Sequence, residues 1–236
     1  MLAVPGEARR LGASVGTGRS ADVYEYDPDW VLRRYREPRD TEREVAGMEH
    51  ARRNGFPVPE ARALDDCDIV MQRLRGPTML DELERRPWQI AHHASMLASL
   101  HQRLHAIEAP DWLPAPLGAG EALLHFDLHP DNVILTDDGP SVIDWPNVAR
   151  GPGIADVAYT WIILATAAPP RPTIRGRLTS GIGRRSFLRL FVRHFDRAAL
   201  KHWIPIGAGF RLSDRTLPPA ERQKVARLTS VDRLDV

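Results

Sequence analysis

Cysteine is almost absent, with Cys67 the only one among 236 residues. A lone thiol excludes an intrachain disulfide and suits a reducing compartment, so a cytoplasmic protein is expected. An excess of charge is missing too. The formal net charge of +1 gives no global field for nucleic acid or a membrane surface, and neither partner is expected. No apolar run is long enough to cross a bilayer. The longest, Val157 to Ala168, contains Tyr159 and Thr160, stops at Pro169-Pro170 and reads as a buried helix. The first residues, Met1 to Glu7, lack a basic stretch followed by an apolar core, so no signal peptide is expected. Internal repeats are lacking as well, and nothing in the chain speaks to oligomeric state.

The charge that is present lies unevenly. Residues 171–236 hold 15 Lys and Arg against 5 Asp and Glu, while residues 1–170 hold 17 against 26. The basic C-terminal quarter reads as a solvated charged face.

Local pattern divides the chain in two. Residues 11–36 look like strands around turns: Ala21 to Tyr26 alternates, Asp27-Pro28-Asp29 turns, and Trp30 to Tyr35 resumes. A helix is expected from Thr41, where Thr41-Glu42-Arg43-Glu44 matches a capping box, to Asn54-Gly55. Asp68 to Gln72 is a further strand. From Pro77 the pattern turns helical, with Ile90, Ala94, Leu97, Leu100 and Leu104 forming one stripe between Trp88 and Ile107. Ser186 to Trp203 reads as one amphipathic helix, and the Arg- and Gly-rich stretch 171–185 as a mobile loop. The expected fold class is α+β, with a small strand-rich lobe over residues 1–76 and a mainly helical lobe over residues 77–236.

The chemistry concentrates in Leu124-His125-Phe126-Asp127-Leu128-His129-Pro130-Asp131-Asn132 and in Ser141-Val142-Ile143-Asp144-Trp145. Phosphoryl transfer needs a carboxylate that orients the acceptor and oxygen ligands that hold magnesium over nucleotide phosphates. Asp127 and Asn132 stand at the spacing His-x-Asp-x-x-x-x-Asn of a kinase catalytic loop, and Asp144 ends the next apolar run. The turn Thr136 to Pro140 would fold the two segments into a hairpin and bring Asp144 beside Asn132. Alone, such Asp and Asn residues would be ordinary turn residues. Gly16-Thr17-Gly18-Arg19-Ser20-Ala21-Asp22-Val23 follows a glycine-loop pattern, with Ala21 in the third glycine position.

Taken in order, the glycine turn, Arg33, Glu44, Met71 to Leu74, His125 to Asn132 and Val142 to Trp145 resemble the aminoglycoside phosphotransferase family. That family has a protein-kinase-like two-lobe fold. The resemblance covers residues 11–165, and Trp145 and Gly151 to Ala158 resemble this branch rather than protein kinases. It implies ATP, or another nucleoside triphosphate, and Mg2+ as cofactors, with a small hydroxyl-bearing molecule as substrate. Asp127 is then the catalytic residue, Asn132 and Asp144 the metal ligands, His125 the residue under the loop and Asp156 its brace. Gly16, Gly18, Arg33, Glu44, Gln72 and Leu74 are then the nucleotide-binding residues, the last two in the hinge.

Arg33 departs from the family, which has lysine there. Arginine keeps the charge but presents a planar fork. It shares a strand face with Val31, and Arg34 points to the other side. Glu44 is its expected partner, with Glu42 the alternative if Glu44 only closes the capping box. Arg33 and Ala21 also keep open a second reading, a catalytically impaired, pseudokinase-like nucleotide-binding module. The pair His101 and His105 has metal-like spacing but no Glu-x-x-His context, and helix packing is expected.

Overall fold

The computed structural model describes residues 12–167, 181, 183–214 and 216–230. Strands β1 (Ser14–Thr17), β2 (Ala21–Glu25), β3 (Trp30–Tyr35), β4 (Ala61–Ala63) and β5 (Asp68–Gln72) form one antiparallel sheet in the order β1-β2-β3-β5-β4. The β2–β3 turn closes because Asp27 Oδ1 accepts the N–H groups of Asp29 and Trp30, each at 2.9 Å. Alternation then puts Val31, Arg33 and Tyr35 on one face. Ala21, Val31, Tyr35, Ile69 and Met71 form a small apolar cluster there, against which Val45 packs.

Val45 belongs to α1 (Thr41–Arg53), whose Met48 and Ala51 enter the larger core, so this helix ties the sheet to the rest. The expected capping box does not start it. Asp40 is the N-cap and accepts from Arg43 N at 2.9 Å, while the Thr41 hydroxyl donates to Asp65 O. Because Thr41 already lies within the helix, Glu44 is not tied to a cap and turns inward. Gly47 lets α1 approach the segment after Asp144: a Cβ there would lie 2.8 Å from a Val148 methyl.

The helical part comprises α2 (Met79–Arg85), α3 (Ile90–His105), α4 (Gly153–Thr166), α5 (Arg184–Val192), α6 (Arg197–Arg211) and α7 (Pro219–Leu228). A capping box formed by Thr78 and Asp81 opens α2. A short 3-10 turn, Pro87–Gln89, leads into α3, whose stripe Ala94, Leu97, Leu100 and Leu104 is fully buried. Ser186 to Trp203 is not one helix. The chain breaks after Val192, and Asp196 caps α6 by accepting from Ala198 N at 2.8 Å. Residues 171–180 and 182 of the expected loop lie outside the described residues, and Arg184 and Arg185 open α5. No described helix is long and apolar enough to cross a membrane.

Two small sheets sit between these parts. β6 (Ala122–Leu124) pairs with β9 (Ala149–Gly151), and β7 (Val133–Thr136) pairs with β8 (Gly139–Val142). The β7–β8 hairpin is the expected one, and Gly139 supplies the positive φ of +115° that its turn requires. Trp145 follows it, fully buried, with its ring edge-on to Phe56 and to His125.

Candidate active site

The catalytic segment is anchored from below by one buried carboxylate. Asp156, on the first turn of α4, accepts the backbone N–H groups of Phe126 at 2.7 Å and His125 at 3.2 Å, and His105 Nε2 at 3.0 Å. Burial opposes its charge, but contacts with His105 and His101 outweigh that and hold the carboxyl far below its usual range. His101, His105 and Asp156 bring their ligand atoms within 4.8 Å of one another. Both Asp156 oxygens accept hydrogen bonds from the loop or from His105, while His101 Nδ1, 3.7 Å from Asp156 Oδ2, has no hydrogen-bond partner among the described residues.

His125 carries the brace upward. Its Nε2–H donates to Ile143 O at 3.1 Å, which leaves Nδ1 to accept from Asp127 N at 3.2 Å. Burial lowers its pKa, so the ring is neutral and this tautomer is the one the contacts require. The ring thus joins the loop that bears Asp127 to the strand end that bears Asp144. Phe126 and Asp144, at φ 54° and 69°, are the only non-glycine residues with positive φ among those described. Such backbone costs on the order of 1–3 kcal/mol and persists only where surrounding contacts impose it. Here it aims two carboxylates.

Asp127 and Asp144 lie on either side of Asn132. Asn132 Nδ2 donates to Asp127 O at 2.8 Å and to Asp127 Oδ2 at 3.2 Å. Those acceptors fix the amide orientation and turn Asn132 Oδ1 away from them, without a protein partner among the described residues. The hairpin places Ile143 N on Asn132 O at 3.0 Å, so Asp144 comes beside Asn132. Burial would raise Asp127, but His129, His125 and Arg211 outweigh it and keep the carboxyl below its ordinary value. Asp127 is therefore ionised at neutral pH.

Arg33 reaches the same place from the sheet. Its Nη1 donates to Glu44 Oε1 at 3.2 Å and its Nη2 to Asp144 Oδ1. The Tyr35 hydroxyl donates to Glu44 Oε2 at 2.6 Å, and the Tyr35 ring lies under the guanidinium, 4.7 Å away. Burial raises the pKa of Glu44, against the pull of Arg33. Arg34, on the other strand face, forms a fork with Asp68. Glu44 rather than Glu42 is thus the partner of Arg33. Tyr35 was missed, although its place two residues after Arg33 on one strand face could have revealed it.

A cleft of about 730 Å3 joins these groups. Gly18, Arg33, Met71, Asp127, Asn132 and Asp144 line it, whereas Gly16, Glu44, Gln72 and Leu74 do not. Glu44 acts through Arg33. Gln72 N is bonded to Glu60 O at 2.8 Å, while Leu74 N has no partner among the described residues. At the helical end the cleft meets Tyr159, Arg211 and Glu221, which no local motif marked.

The model of the phosphotransferase enzyme family matches residues 13–120 and, in a second stretch, 70–191. The chain belongs to that family. Membership makes it an enzyme of phosphoryl transfer. No curated protein matches it in sequence. A solved thermostable mutant of aminoglycoside phosphotransferase APH(4)-Ia, in ternary complex with AMP-PNP and hygromycin B, is similar at 13% identity and TM-score 0.67, with 95% of this chain and 93% of that one covered. A choline/ethanolamine kinase family protein from Mesorhizobium loti is similar at 15% identity and TM-score 0.59, covering 98% and 92%. Amicoumacin kinase hAmiN, in complex with AMP-PNP, Ca2+ and Ami, is similar at 14% identity and TM-score 0.52, covering 92% and 86%. At these identities the likeness shows the fold, which is protein-kinase-like and α+β.

Proposed function

We propose that the protein is a small-molecule kinase that transfers the γ-phosphoryl group of ATP, with Mg2+, to a hydroxyl group. The observation that carries this reading is the meeting of Asp127, Asn132, Asp144 and Arg33 in one cleft. In this reading the nucleotide lies between a lobe of residues 1–76 and a lobe of residues 77–236, with Met71 beside the base and Gly18 near the phosphates.

The donor set suits a hard cation. Asn132 Oδ1 and the Asp144 carboxylate are oxygen donors lining the same cleft, and the Asp144 side chain is still a third exposed. Magnesium held by these residues would supply positive charge that neutralises the charge developing on the phosphoryl group. Asp127 accepts a hydrogen bond from the acceptor hydroxyl and orients it for in-line attack. Arg33, held by Glu44, presents fixed positive charge to the phosphates and costs no reorganisation. Asp156 and His125 act through the loop, as positioning residues. The hinge assignment for Gln72 and Leu74 rests on the resemblance and on the free Leu74 N–H.

The deciding measurement is ADP release across a panel of hydroxylated metabolites and aminoglycosides, with and without Mg2+. The expected result is turnover that needs Mg2+, falls about a thousandfold in Asp127→Asn and keeps nucleotide binding. Asp144→Ala should abolish the Mg2+ dependence of nucleotide affinity. Tight, Mg2+-dependent nucleotide binding with no turnover on any acceptor would favour the pseudokinase-like module instead.

A further inference from the structure

We propose that the acceptor is an alcohol with an apolar body and little charge, rather than a polyamine. This rests on the phosphotransferase reading, since it concerns the acceptor end of the same cleft.

The cleft continues from Asp127 onto a wall built by α2, the start of α3, α4 and α5. Leu80, Leu83, Ile90, Ile163, Leu164 and Phe187 line that wall among the described residues. Leu83, Ile90 and Leu164 pack against the main core, and Phe187 and Ile163 are buried. Leu80 is different. It is half-buried, belongs to none of the apolar clusters and still lines the cleft. An apolar side chain held in a cleft without a core partner suits a ligand surface of its own kind.

The polar side of this end is already committed. Arg211 Nη2 donates to Glu221, and Arg211 Nη1 donates to the Tyr159 hydroxyl at 3.4 Å. Asp214 accepts from Thr216 N and from the Thr216 hydroxyl, each at 2.8 Å. Glu84, Asp131 and Asp214 are the acids there without an ion pair among the described residues, and Arg184 and Arg211 stand in the same lining. A polyamine brought into this space would need a carboxylate for each desolvated ammonium, and these three acids share the space with two guanidinium groups that repel it. An apolar body needs none. Its hydroxyl would meet Asp127, and its chain would lie on Leu80 and Leu164.

The test is calorimetric titration of the whole protein saturated with Mg2+ and AMP-PNP. The probes are straight-chain primary alcohols from butanol to decanol, with gentamicin and hygromycin B as polycations. Affinity should rise about fourfold with each added methylene until the wall is covered, which is the transfer of one CH2 group from water. Leu80→Asp should reduce that gain to less than about twofold per methylene while leaving AMP-PNP affinity unchanged. The milder Leu80→Ala should fall between the two. Affinity independent of chain length, tighter binding of either aminoglycoside than of decanol, or a Leu80→Asp series with the parent slope would each overturn the proposal. If Mg2+ and AMP-PNP do not bind, the phosphotransferase reading fails instead. The same alcohol series on nucleotide-free protein then still decides whether the wall takes an apolar ligand.

Discussion

The floor and the roof of the cleft are built on opposite plans. The floor, from His125 to Asn132, is fastened by a fully buried carboxylate, a neutral buried histidine and two residues with imposed positive φ. The roof is the β1–β2 turn, where every residue of β1 is exposed. Gly18 N bonds to Ala21 O at 2.8 Å, and the exposed Arg36 guanidinium donates to Arg19 O, Gly18 O and Asp22. Such contacts compete with water and contribute little each. A reacting geometry must be held while nucleotide enters and leaves, so local opening is expected on the cheaper side.

The hardest blow to that contrast is Asp156→Ala. It strips the partner from two buried backbone N–H groups and from His105, each loss on the order of 1–3 kcal/mol. Urea unfolding should show a loss of about 4 kcal/mol, with turnover lost even in the folded fraction. Asp156→Asn, which keeps one acceptor, should lose about half as much. A loss below about 1 kcal/mol would mean that the floor is held by packing alone.

Arg33 joins floor to roof, and its removal should come next. Arg33→Ala leaves Glu44 buried without its cation. Glu44 can take a proton and keep Tyr35 as a partner, so the loss should be about 3 kcal/mol, near the low end for a broken buried pair. If Arg33 faces the phosphates as proposed, kcat/KM for ATP should fall about a hundredfold, since a fixed positive charge goes with it. Arg33→Lys keeps the charge but not the fork that reaches Glu44 and Asp144 together, and should lose less than about tenfold. Arg34→Ala removes only a half-exposed pair with Asp68 and should leave kcat/KM unchanged. A larger effect at Arg34 than at Arg33 would reverse the assignment.

The same contrast governs how much of the site is legible in the sequence. The floor is written locally. Asp127, Asn132 and Asp144 lie within eighteen consecutive residues joined by a hairpin whose turn residues are unmistakable, so spacing alone brings them together. Strand alternation likewise separated Arg33 from Arg34. The boundaries that failed were those where two signals compete. Asp40 and Thr41 are both good caps, and only packing of Glu44 against Arg33 decides between them. The apolar period of Ser186 to Trp203 runs through Arg193 to Asp196, so periodicity could not see the break, although Asp196 is itself a cap residue. Arg211 meets Tyr159 across a separation of 52 residues, and no local rule encodes such a meeting.

Acid should test the floor next. Burial pushes His101 down to about 3, so it is neutral when folded near pH 6, and burial also lowers His125, which takes up a proton less readily than in the unfolded chain. Unfolded, each takes up a proton near pH 6.5. Below that value the unfolded chain binds more protons, so stability falls as pH falls, by at most about 1.4 kcal/mol per pH unit for each ring. Glu44 opposes this, because burial raises its folded pKa and the folded state then gains a proton first. His129, raised in the folded state, contributes fully below pH 6.5 and loses its contribution only as pH rises through its folded value. The net expectation is that stability falls between pH 7 and pH 5.5, since His93, His101 and His125 are all lowered by burial, read from urea midpoints. His101→Asn should weaken that dependence, and a flat profile in the parent would contradict the buried-histidine floor.

The smallest effect belongs to the roof, at Gly16. A Cβ there would meet no atom within 4 Å, and its φ is not in the left-handed region. Gly16→Ala should therefore change stability by less than about 0.5 kcal/mol, and in the stabilising direction if the unfolded chain loses freedom. Gly76 is the internal control. Its φ is +155°, and a Cβ would lie 2.0 Å from Leu135 O, so Gly76→Ala should cost several times more. If backbone amides at the glycine turn approach phosphate, Gly16→Ala should still raise KM for ATP by a few-fold, with kcat nearly unchanged, because a methyl group there restricts the approach without touching Asp127. Equal KM in parent and variant would place the phosphates away from Gly16 and closer to Gly18, the only one of the two that lines the cleft.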